Sequence, residues 1–137
     1  VLLTEKERMN VPDNLKYYKE HDWVRVESDG MAVVGITEFA AESLGDIVFV
    51  ELPEPGTEIK QFDKLGEIES VKAVSDLYTP IGGRVVESNQ TVTDAPETVN
   101  DSPYEAGWLV KIELSDASEM DNLLSAAEYE ALLAAEG

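Results

Sequence analysis

The residue best placed for chemistry in this chain is an isolated amine. Lys72 is the only basic residue between Lys64 and Arg84, and its charged neighbours Glu67, Glu69 and Asp76 are all acids. Small or apolar residues stand beside it, in the run Glu69-Ser70-Val71-Lys72-Ala73-Val74. A lysine alone at a tight turn is reachable by an enzyme that must grip a ribbon and modify one amine. The ordinary alternative is a solubilising charge at a turn, since short motifs always carry false matches. A second constellation is His21 beside Asp22. A carboxylate could orient that imidazole as a base, but a histidine so placed is more often a hydrogen-bonded structural group at an interface of strands.

Other catalytic kits are missing from the sequence. His21 is the only histidine and cysteine is absent. Thiol catalysis and disulfides are therefore excluded, as is the usual zinc site with several Cys and His ligands, so no metal is expected. No G-x-S-x-G elbow, phosphate loop or G-x-G-x-x-G occurs. The 29 acidic and 10 basic residues leave a net charge of −19. That argues against nucleic acid and anionic lipid, both of which need clustered Lys and Arg. The acids are spread along the chain, as on a solvated surface, and would steer it toward basic docking sites. No apolar run approaches the roughly 20 residues that span a bilayer, and no secretory signal is visible. At 137 residues one domain is favoured. Met9 reads as a start residue, so residues 1–10 are expected to be a non-native or flexible extension and 11–137 a single domain.

The elements that must position Lys72 are mostly strands. Gly66–Glu69 and Val74–Tyr78 suit a β-ribbon, with Ser70–Ala73 the length of a hairpin end. Upstream, Trp23–Glu27 and Met31–Ile36 flank the turn Ser28-Asp29-Gly30. Thr37 caps a predicted helix over Glu38–Leu44, with Phe39, Ala40, Ser43 and Leu44 as its apolar face and Gly45 as its stop. Ile47–Leu52 reads as a buried strand, Arg84–Asn89 as another, and Trp108–Leu114 as the last. Thr91–Ser102 is polar and reads as a loop. Asp116 with Glu119 and Ser125 with Glu128 have capping-box spacing, so a C-terminal helix is predicted within Ser118–Ala135.

Several of these stretches carry a resemblance. G-E-I-E-S-V-K-A-V-S-D-L-Y-T-P-I-G-G, over Gly66–Gly83, resembles the lipoyl-attachment segment of the glycine cleavage system H protein family. So do Y-x-x-x-H-D-W-V near the start, G-I-T-E-F-A-A-E-S-L-G-D-I-V-F-V-E-L-P, and N-D-S-P-Y-E-A-G-W-L-V-K-I. The resemblance covers about Val11 to Leu133. It departs at Asp22, where the family's usual triplet is His-Glu-Trp. Biotin carriers share the hairpin logic but typically read Met-Lys-Met. Lipoyl domains of 2-oxo acid dehydrogenases commonly read Asp-Lys-Ala and lack the other three signatures.

The resemblance implies a mainly β fold, a barrel-sandwich hybrid of the lipoyl/biotinyl-carrier kind, with a short internal helix and a C-terminal helix. It implies covalent lipoate on Lys72, with Glu69, Ser70, Val71 and Ala73 as recognition flanks, and an arm cleft bearing Asp22, Asp76 and His21. The missing sulfur chemistry would then come from the cofactor. The implied role is a carrier, not an enzyme. It would take the aminomethyl group of glycine from glycine decarboxylase to an aminomethyltransferase, and be reoxidised by dihydrolipoamide dehydrogenase. A lipoate ligase or lipoyl transferase would attach the arm. The protein is expected to be a monomer, cytoplasmic in a prokaryote or in the mitochondrial matrix of a eukaryote. Two alternatives keep the same lysine or none: a lipoate relay or carrier in another pathway such as sulfur oxidation, and an unmodified interaction module.

Overall fold

A computed structural model describes residues 10–136, and the expectation for residues 1–10 falls, but for Asn10, outside them. Nine strands form two antiparallel sheets among these residues. The larger contains β1 (Lys16–Tyr18), β2 (Asp22–Val26), β3 (Met31–Ile36), β5 (Glu58–Ile59), β8 (Gly83–Ser88) and β9 (Val110–Leu114), in the order β1-β2-β3-β9-β8-β5. The smaller contains β4 (Ile47–Glu51), β6 (Lys64–Ser70) and β7 (Val74–Tyr78), in the order β4-β6-β7. The expected mainly β fold is what forms, as two open layers rather than a closed barrel. Its helices are α1 (Glu38–Leu44), α2 (Gln90–Asp94), α3 (Glu97–Asp101) and α4 (Ala126–Glu136).

Strand parity decides where the core lies. Successive side chains of a strand point to opposite faces. In β2 and β3, Val24, Ala32, Val34 and Ile36 pack between the sheets against Val50, Ile68 and Leu77. Trp23 and Val33 point the other way and join Tyr17, Tyr129 and Leu133 beneath α4. These strands are therefore covered on both faces, unlike the small sheet, which buries only one. Val50 and Ile68 face inward as neighbours across β4 and β6, while Phe49, Glu69 and Val74 form an exposed row on the outer face.

Local signals explain most boundaries. Thr37 Oγ1 accepts from the Ala40 amide at 3.2 Å, the N-cap bond that starts α1. Ser125 and Glu128 form the expected reciprocal box before α4, with bonds of 2.8 and 3.2 Å. The second expected box does not form. Asp116 instead accepts from the Ser118 amide at 3.0 Å, and Glu119 accepts from the Gly82 amide at 2.9 Å, so Ala117–Asn122 is a short 3-10 stretch.

Two other expectations are corrected. Thr91–Ser102 is not a loop. Asn89 caps α2 by accepting from the Thr91 amide, and Val92 and Val99 are fully buried, so one apolar anchor per turn suffices to order α2 and α3. Ile47–Leu52 is only half-buried, because none of the described residues covers Val48 and Phe49.

The small sheet depends on a close approach at Gly66. A Cβ there would lie 2.1 Å from the Glu51 carbonyl oxygen on β4. Backbone cannot yield as a flexible side chain does, so Gly66→Ala is expected to destabilise the fold by about 2–3 kcal/mol. Chemical denaturation of both proteins checks this; a change within error would mean that β4 and β6 separate freely.

Candidate functional site

The β6–β7 hairpin carries Lys72 at its tip, and its turn is built by Ser70. The Ser70 hydroxyl accepts from the amides of Lys72 at 3.1 Å and Ala73 at 3.2 Å, and the Ser70 amide donates to the Ala73 carbonyl at 2.8 Å. Ser70 is buried, and its bonds shape the turn. Glu69, Val71, Lys72 and Ala73 are all exposed.

The tip is tied to the turn that follows α1. The Val71 amide donates to the Asp46 carbonyl at 3.0 Å. The Lys72 stem lies over Gly45, where a Cβ would sit 3.2 Å from Lys72 Cε. Gly45 adopts φ 78° and ψ −155°, a combination open essentially to glycine. Asn100 on α3 clamps this turn from below: its Oδ1 accepts from the Ile47 amide at 2.9 Å, and its Nδ2 donates to the Gly45 carbonyl at 2.8 Å. Sequence reasoning read Gly45 only as a helix stop and Asn100 as part of a loop. The Gly-Asp pair after the helix was the one signal available for this platform.

A cleft of about 500 Å³ opens between α1, the N-terminal end of β2 and the β7 edge. It brings together the three sequence-predicted residues His21, Asp22 and Asp76. Ala40, Ser43 and Leu44, expected from sequence only as the apolar face of the helix, line it from α1, and Glu20 and Tyr78, not singled out from sequence, line it too.

The three predicted residues differ in state. Asp22 shares its strand face with Val24, so parity turns it inward at the end of the inter-sheet core. It is buried, and its Oδ2 has no hydrogen-bond partner. Burial pushes its carboxyl well above the usual carboxylate range, with Glu20 adding to the shift. Asp76 is half-exposed, and its Oδ1 lies 3.4 Å from Lys64 Nζ, which also bonds Glu67 at 2.7 Å. His21 has φ 74°, and its Nδ1 meets the Tyr129 hydroxyl at 2.8 Å. That hydroxyl also meets Thr37 Oγ1 at 2.8 Å, so the imidazole belongs to a link between α4 and the start of α1. Its Nε2 lies 3.5 Å from a Glu136 carboxylate oxygen, so both ring nitrogens face α4 rather than an interface of strands.

Presented lysine, tied turn and cleft on a two-sheet β fold define a class of protein, one whose hairpin displays a side chain outside the core. Comparison with known proteins narrows the class. The sequence model of the glycine cleavage H-protein family matches residues 15–136. The glycine cleavage system H protein of Staphylococcus haemolyticus is 57% identical over 125 residues, covering 91% of this chain and 98% of the relative. That of Geobacillus thermodenitrificans is also 57% identical over 125 residues, with the same coverage. The crystal structure of a glycine cleavage system H protein from Mycobacterium marinum superposes with a TM-score of 0.82 at 40% identity, covering 88% of this chain and 97% of that one. The chain belongs to the glycine cleavage H-protein family.

The buried carboxyl makes stability depend on pH. Below about pH 4 both folded and unfolded chains hold the Asp22 proton, and the group favours neither. Above it the unfolded chain releases its proton first, so stability falls with rising pH until the folded state also ionises. Asp22→Asn removes that slope. Its melting temperature relative to the parent is expected to rise from pH 4 to pH 7 by calorimetry; parallel curves would place an ionised Asp22 in the folded protein.

Proposed function

We propose that this protein carries lipoate on Lys72 and serves the glycine cleavage system as its mobile component. The observation that supports the reading best is the Lys72 hairpin, which holds an amine away from the core on a turn fixed by Ser70 and Asp46. The residues present fit the group. The tip is exposed, Gly45 leaves room for the stem where a Cβ would crowd it, and the neighbouring cleft contains an unpartnered buried oxygen of Asp22.

Attachment needs only the amine of this chain and an activated carboxyl. Lys72 Nζ, deprotonated, attacks the carboxyl carbon of the acyl-adenylate. The amide C–N bond forms as the bond to AMP breaks, and the amine's proton goes to solvent. Once bound, the lipoyl group supplies a disulfide that can be opened, loaded and closed again. The chain's own residues present and shelter it. Ser70 keeps the tip rigid, and the cleft excludes bulk water from whatever enters it. A cationic group entering would find two carboxyls. Asp22 would give up its proton to pair with it, since an opposite charge favours the ionised form. Asp76 would have to be shared with Lys64. Asp22, rather than Asp76, is thus the acid with an unmet bond.

In this reading the cargo is the aminomethyl group of glycine, delivered by glycine decarboxylase and taken by the aminomethyltransferase, with dihydrolipoamide dehydrogenase closing the cycle. No helix among the described residues is long and apolar enough to cross a membrane, which is compatible with exchange among partners in the cytoplasm of a bacterial host.

Intact mass of the protein purified from its own host is expected to show one lipoyl addition, mapped by digestion to Lys72. Lys72→Arg keeps a positive charge without an acylable amine. It should melt within about 1 °C of the parent, as exposed substitutions do, carry no lipoyl group, and fail to support glycine cleavage. A lipoyl group on another residue of this variant would overturn the assignment.

A further inference from the structure

The outer face of the small sheet has an organisation that the carrier role alone does not require. Register places Phe49, Glu69 and Val74 side by side across β4, β6 and β7. With about 4.8 Å between strands, the row spans about 10 Å. Phe49 is 51% exposed and Val74 62%, and Val71, 68% exposed, continues the apolar surface onto the tip. The next row on the same face is Glu51, Glu67 and Asp76. The face therefore holds four carboxylates, and Lys64 is the cation that bridges two of them. Exposed apolar side chains gathered on one patch, rather than scattered singly, mark an interaction site.

The position of the patch selects its occupant. A protein that works on the end of a long attached arm can stand off from the hairpin. The enzyme that makes the amide cannot. It must bring an activated carboxyl to Lys72 Nζ itself, and the bare lysine stem lies close against Gly45. Its surface must therefore close over the tip and the row beneath it. We propose that Phe49, Val74 and Val71, arranged around Glu69, are the docking face for the enzyme that acylates Lys72. The partner surface is apolar, with a basic side chain at its centre for Glu69 and further basic groups toward Glu51 and Glu67. Glu69 supplies the charge pairing, and the two apolar neighbours exclude water from it, which raises the worth of that pair. The proposal rests on the reading of Lys72 as a lipoylated residue.

The test is the rate of acylation by a purified bacterial lipoate ligase with lipoate and ATP, read by intact mass. Val74 also lines the cleft, so Phe49 is the cleaner probe. Phe49→Ser is expected to lower the rate at limiting protein about tenfold, and Glu69→Lys further. Val26→Ser, an exposed apolar residue on β2, should leave it unchanged. As a second measurement, Lys72→Arg should inhibit acylation of the parent competitively, and Lys72→Arg combined with Phe49→Ser should not. Both expectations concern exposed side chains, and matched melting curves keep folding out of the comparison. Acylation of Phe49→Ser at the parent rate overturns the docking face while leaving the lipoyl reading intact. So does equal slowing of Val26→Ser, or a parent dimer that Phe49→Ser converts to monomer without changing the rate. A parent that is never acylated at Lys72 overturns both.

Discussion

A presented side chain needs a turn that is exposed yet does not move, and here one buried hydroxyl meets both demands. The tip from Ser70 to Ala73 has amides that no strand partner can satisfy, and leaving them unpaired would let the turn open. Ser70 Oγ takes two of them while its own amide pairs with Ala73. The amide of Val71 is met by Asp46, outside the hairpin. Thus the tip draws its order from one serine and one neighbouring turn, and the Lys72 side chain takes no part in the bonding that holds its backbone. Everything that makes the lysine usable follows from that separation.

The neighbouring turn is held in its own right. Asn100 bonds both the Gly45 carbonyl and the Ile47 amide, and Asn100 is held by α3, whose anchor is the buried Val99. On the other side, the Tyr129 hydroxyl of α4 joins His21 and Thr37, fixing the start of α1 and the rim of the cleft together. Burial keeps the Tyr129 phenol protonated far above neutral pH, so it can always donate one of those two bonds. Both ends of α1, a helix too short to be stable alone, are therefore fixed by residues distant in sequence.

Much of this could be read from residue order because the signals are local. The hairpin about Lys72, the Thr37 cap, the Gly45 stop and the Ser125–Glu128 box each involve residues within a few positions of one another. What could not be read depends on which faces are covered. Asp22 looks like any acid in an acid-rich chain, and only the burial of β2 on both faces shows that it is enclosed. Phe49 lies in an apolar run that suggests a buried strand, and only the bare outer face of the small sheet shows otherwise. The polar stretch 91–102 hides two helices because each needs a single buried valine, too sparse a pattern for periodicity to detect. Asp116 and Glu119 have the right spacing for a box, yet Gly82 offers Glu119 a better-placed amide.

The Asn100 clamp has a consequence for how far this hairpin could be moved into other molecules. Residues 66–83 contain the lysine, its flanks and the serine that folds the tip. A short tag made from them would keep the amine. It would lack the Asp46 carbonyl that receives Val71, the Gly45 surface on which the stem rests, and the α3 asparagine that shapes both. Those contacts come from sequence before and after the hairpin. The presentation of the lysine is therefore a property of the folded sandwich rather than a portable motif, and any transplant would need a scaffold that rebuilds the α1 turn beneath it.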